Sequence, residues 1–140
     1  MTASRSAFTL AVLIAVFGMG WGIAMAISHD HSTAPAHAHL NLLGWVSLFV
    51  MGLFYRQHPN LDRNRLAIVQ VAVWALASIT LAAGIGLIYA VTPEAEPLAA
   101  ISSIVLLADM LLFAWLVIRS RDNRPALNET PHEAILHGAE

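Results

Sequence analysis

The chain has 140 residues, enough for one domain, and is 58% hydrophobic but only 11% charged. Its seven basic residues are all arginines and its formal net charge is −2, so it lacks the basic face of a soluble nucleic-acid binder. With no cysteine, disulfides, thiolate ligands and thioether-linked haem are excluded, and any metal must be held by His, Met, Tyr or a carboxylate.

Four apolar runs are each long enough to cross a bilayer. The first helix is expected from about Ala7 to Ile27. It contains Ala24-Met25-Ala26, which imitates a signal-peptidase site, but the run is longer than a signal core and reads as a retained span. The second helix is expected from near Pro35 to Tyr55, the third from about Leu66 to Val91 and the fourth from about Leu98 to Ile118. Pro35, Pro93 and Pro97 fall at helix borders, where a missing N–H is tolerated. Short connections make consecutive helices antiparallel neighbours. The chain therefore reads as an all-α, four-transmembrane-helix bundle over residues 1–118, followed by a polar tail over residues 119–140.

Arginine placement predicts the orientation. Arg5, then Arg56, Arg63 and Arg65, then Arg119, Arg121 and Arg124 all fall on one side, while the loops Ser28–Ala34 and Thr92–Pro97 carry none. The positive-inside rule puts the arginine side and both termini in the cytoplasm. The His-rich loop and the acidic turn Pro93-Glu94-Ala95-Glu96-Pro97 then face outward. Small residues recur as Gly18, Gly22, Ala26 and as Ala82, Gly86, Ala90, which suits close helix packing in lipid. In the tail, Thr130-Pro131-His132-Glu133 reads as a capped short helix stopped by Gly138.

Four of the seven histidines lie in one segment, as His29-Asp30-His31 and His37-Ala38-His39. His29 and His31 belong to the outer end of the first helix or the loop, and His37 and His39 to the first turns of the second helix. Ionisable side chains at that depth are costly and mark functional sites. Residues two apart on an α-helix point about 200° apart, so His37 and His39 project toward different clefts rather than onto one ion. A zinc site on one helix prefers a spacing of three or four. Two flat cofactors flanking the helix fit better, and imidazole is an axial ligand of haem iron. Gly44 and Gly52 are expected to make room for a macrocycle, and Trp21 and Trp45 to line its edge. A second reading gathers copper or zinc on His29, His31, His37 and His39 at the outer face. A third makes the chain an accessory subunit of a respiratory complex, with structural histidines.

Ala36-His37-Ala38-His39, with Leu43-Gly44-Trp45, Gly52 and Tyr55 after it, resembles the tenth helix of haem–copper oxidase subunit I. The likeness is to cbb-type oxidases and nitric oxide reductases. His39-Leu40-Asn41-Leu42-Leu43 also resembles the second helix of the reductases. The resemblance implies haem b, with His37 at the high-spin ligand position and His39 at the low-spin one. It implies that a four-helix chain equals one of the family's three arcs, and so a homotrimer of twelve helices. Each subunit interface would hold a bis-histidine haem, supported by Asn41, Gly44, Trp45 and Trp21. His29, His31 and Asn41 would stand in for the family's propionate-binding arginines. It further implies electron transport to a redox partner in a bacterial inner (cytoplasmic) membrane. The family's copper-site histidines have no counterpart here, so a complete oxidase is not expected. Asp109 is the other intramembrane charge, expected near the midplane, where it either handles protons or bonds to Ser78, Thr80 or Ser47.

Overall fold

The computed structural model describes residues 1–122 and is all-helical there. The short helix expected from Thr130-Pro131-His132-Glu133 to Gly138 lies outside the described residues. The helices are α1 (Ala3–Ser28), α2 (Ala34–Arg56), α3 (Arg65–Ala90) and α4 (Glu96–Asp122). All four spans are long and apolar enough to cross a membrane, which fits a multi-pass membrane protein. The helix is the economical fold for such runs, because it satisfies its own backbone groups where lipid offers no partners.

The helices extend beyond the apolar runs because polar residues cap them. The Thr2 side chain accepts from Arg5 N, and Asn64 accepts from Leu66 N, starting α1 and α3 earlier than hydropathy alone indicates. The α4 helix continues past Ile118 to Asp122, so the boundary expected between residues 118 and 119 falls inside a helix. A one-turn helix, Pro59–Asp62, joins α2 to α3, and a 3₁₀ turn, Pro93–Ala95, precedes α4. Asp62 Oδ1 accepts from Ser4 N at 2.6 Å, placing a carboxylate at the positive end of α1.

Consecutive helices pack as antiparallel neighbours. Glycines bring α1 onto α2: a Cβ at Gly18 would strike the Asn41 amide at 2.5 Å, and one at Gly52 would strike Phe8 at 2.9 Å. The α2–α3 contact is fixed by Trp74 Nε1 donating to the Leu43 carbonyl at 2.9 Å. The α3–α4 seam closes where a Cβ on Gly84 would lie 2.9 Å from Ala99 N, and where Ser102 Oγ donates to Thr80 Oγ1. At the end of the chain rich in histidine, α1 also reaches α3, with Trp21 against Gly86.

One departure from a regular helix bears on the site. Residues Leu40–Ser47 of α2 are π-helical. Three groups compete for carbonyls in this region: Asn41 Nδ2 donates to His37 O, Ser47 Oγ to Leu42 O and Trp74 Nε1 to Leu43 O. Side chains and a neighbouring helix that draw on the carbonyl ladder favour such re-registration.

The backbone contact at Gly84 has a direct consequence. Gly84→Ala should destabilise the chain by about 1–3 kcal/mol, because Ala99 backbone cannot retreat as a side chain can. Gly20→Ala should leave stability unchanged, since nothing lies within 4 Å of its Cβ position. Unfolding of the two variants by denaturing detergent measures the contrast; equal stabilities would contradict the packing.

Candidate functional site

The α1–α2 loop carries the first two histidines. His29 ends α1 in the left-handed region at φ 56, a conformation histidine tolerates better than bulkier residues. Asp30 Oδ1 accepts from Ser32 N at 2.9 Å, forming a local turn. The Ser32 backbone N–H, and then its hydroxyl, hold the Asp30 carboxyl below its usual range. Thr33 Oγ1 accepts from Trp21 Nε1 at 3.1 Å and donates to Met25 Sδ at 3.5 Å, tying the loop to α1. His29 and His31 are both exposed.

The next pair diverges, as the α-helical start of α2 requires. His37 is half-buried and turned toward α1. Its Cε1 would lie 3.2 Å from a Cβ on Gly22, and its ring meets Trp21 edge-on with centroids 6.2 Å apart. Asn41, wedged against Gly18, places its amide nitrogen 3.4 Å from each His37 ring nitrogen and 2.9 Å from His37 O.

His39 is exposed and stands on another side of α2. Its Nδ1 is 2.8 Å from Pro35 O; since a carbonyl only accepts, Nδ1 carries the proton and donates. That fixes the tautomer and leaves the Nε2 lone pair free. A ring nitrogen tied to a backbone carbonyl is the usual support of a metal-ligating histidine. His58 makes the same bond to Phe54 O, so the device also serves ordinary helix geometry in this chain. Below His39, α2 presents exposed Leu42, Trp45, Val46, Phe49 and Val50, with Trp45 43% exposed.

Among the expected supporting residues, Trp21 and Asn41 contact His37, and Trp45 lies on the outward face with His39. Gly44 is a correction. A Cβ there would lie 2.9 Å from Ile14 Cγ2, so its missing side chain is filled by α1 rather than opened for a macrocycle. Gly52 is likewise filled by Phe8 and Ala7. Within the described residues, no three His, Asp or Glu side chains converge in a way that could hold a metal ion. His29, His31, His37 and His39 are not brought together as such a group.

Asp109 is buried, but not with the partners expected. Ser78 Oγ donates to Trp74 O, Thr80 to Leu76 O, and Ser47 to Leu42 O. Gln70 is the partner instead: its Nε2 donates to Asp109 Oδ2 at 2.7 Å, and its Oε1 accepts from Tyr55 OH at 2.8 Å. This chain crosses α2, α3 and α4, and Phe113 packs on Tyr55 at 5.8 Å between centroids. Tyr55 adjoins Arg56 and Gln70 follows Arg65 by little more than a turn, whereas Asp109 lies near the middle of the span Pro93–Ser120. The signal available in the sequence was Gln70 itself, an amide inside an apolar span that must find a partner.

No protein-family model, curated protein or solved structure matches the chain.

Two expectations follow. Gln70→Leu leaves the Tyr55 hydroxyl and the Asp109 carboxyl without their partner, and should cost about 1–3 kcal/mol in detergent unfolding; an unchanged midpoint would contradict the polar chain. Asp30 has a lowered folded pKa, so its turn is stabilised above pH 3.8 and loses this as pH falls through the lowered value. Carbon NMR titration of the Asp30 carboxyl checks it, and a midpoint at or above 3.8 is the contrary result.

Proposed function

We propose that this chain is a haem-b membrane protein that transfers electrons, with His39 and His37 as the axial ligands. The observation that carries the reading is the exposed His39 imidazole, oriented through Nδ1 by Pro35 O with Nε2 left free. The residues fit the group in donor chemistry: imidazole ligates haem iron, and an exposed apolar face lies below His39 to meet a porphyrin. The resemblance to haem–copper oxidase subunit I supports the same assignment through the His-x-His spacing.

His37 and His39 leave α2 on different sides, so one chain does not offer both to one iron. Each haem therefore takes His37 from one chain and His39 from the next, at the interfaces of a homotrimer. Cyclic homo-oligomers supply such repeated interfaces, and the exposed apolar face of α2 is available to them. Asn41 and Trp21 hold the His37 ring. When bound, haem supplies a one-electron redox centre. A six-coordinate iron has no open position, which favours electron transfer over oxygen chemistry.

In the proposed setting of a bacterial inner membrane, the arginine distribution supports an orientation with the histidine end outside and both termini cytoplasmic. An outer-face copper or zinc protein is the competing reading, and the lack of a converged set of ligands within the described residues argues against its single-chain form.

The test is the reduced-minus-oxidised visible spectrum of the purified protein. Sharp Soret and α bands are expected in the native chain, and His39→Ala should lose at least about nine-tenths of them, since losing even an outer-shell partner of a metal ligand typically costs ten- to a hundredfold in metal affinity. Full bands in His39→Ala would remove His39 as a ligand; bound copper or zinc without those bands would favour the competing reading.

A further inference from the structure

At the arginine end, the α2–α3 connection and the last turns of α4 enclose an open pocket of about 510 Å³. It is lined by His58, Asn60 and Asn64 from the connection and by Trp115, Leu116 and Arg119 from α4. We propose that this pocket binds the anionic headgroup of a phospholipid.

The lining is divided in the way such a ligand requires. Arg119 sets its guanidinium carbon 5.1 Å from the centre of the Trp115 ring, one helical turn away, so the charge is carried on a platform of indole. His58 stacks on Phe54 at 4.3 Å and spends Nδ1–H on Phe54 O at 2.7 Å, which leaves the Nε2 lone pair to accept from a headgroup hydroxyl rather than to bind the phosphate. Asn64 uses its Oδ1 to accept from Leu66 N at 2.9 Å, which leaves the amide N–H₂ to donate. Asn60 is exposed beside them. Among the described residues, no carboxylate lines the pocket. The floor is apolar: Leu116 is buried and Trp115 is half exposed on the outward surface.

Depth identifies the source of the anion. The pocket sits where the spans Ala34–Arg56 and Pro93–Ser120 end, at the level where hydrocarbon gives way to headgroups. Indole rings favour that level. Basic pockets between helix ends are recognised lipid-headgroup sites, each cation near the surface contributing about 1 kcal/mol. A phosphate on Arg119 would leave the acyl chains running along Trp115 and Leu116. The site lies at the end opposite His37 and His39 and does not depend on haem.

Native mass spectrometry of the detergent-solubilised full chain tests this, with phosphatidylglycerol, phosphatidylcholine and inorganic phosphate as separate probes. Phosphatidylglycerol should be retained in preference to phosphatidylcholine. Arg119→Gln should weaken that retention about five- to tenfold, consistent with the loss of one interfacial cation. Trp115→Leu should weaken it in the same direction, and Arg5→Gln, on a helix outside the pocket, should leave it unchanged. Circular dichroism confirms that the variants retain their helices. Equal retention of both lipids, no effect of Arg119→Gln, or inorganic phosphate bound as tightly as the lipid would each overturn the proposal.

Discussion

The structure depends on the close approach of α1 to α2. Lipid gives no hydrophobic drive between helices, so association rests on contact, and contact needs small residues. Gly18, Gly22, Gly44 and Gly52 supply it along the whole interface, receiving Asn41, His37, Ile14 and Phe8 in turn. This settles which side of α2 is interior. His37 is taken against α1, and His39, two residues on, is left facing away. The two histidines differ in surroundings because of this packing, although they are neighbours in an almost repeated dipeptide.

Polar groups then join the remaining helices at a few places. Trp74 reaches the Leu43 carbonyl, Ser102 reaches Thr80, and the Tyr55–Gln70–Asp109 chain crosses three helices. Each bond satisfies groups that lipid would not. The π-helical stretch of α2 belongs with them. It lies between the histidines and the Met51–Tyr55 turn. The chain is polarised, with His29, His31, His37 and His39 at one end and the arginines and the interfacial pocket at the other.

Much of the fold was legible because bilayer length, charge placement and proline position act locally. The four helices follow from apolar runs alone, and the starts of α1 and α3 needed only the capping roles of Thr2 and Asn64. The π segment was not legible, since it involves Trp74, a residue remote in sequence, bonding to Leu43 O. The glycines illustrate the same limit. A sequence shows that Gly44 lacks a side chain but not that Ile14 fills the space. Asp109 stands out in the sequence as a charge inside an apolar run, yet its partner depends on how α3 and α4 are registered. The divergence of His37 and His39 was legible, because it follows from helical geometry at the regular start of α2.

The central claim is that each iron is shared between chains, one giving His37 and the other His39. Co-expression of differently tagged His37→Ala and His39→Ala chains, followed by purification through both tags, tests it most directly. The account predicts that mixed assemblies regain haem bands absent from either variant alone, because one interface reunites an intact pair. Mixed assemblies without those bands, or monomeric native chains that carry haem, would contradict it.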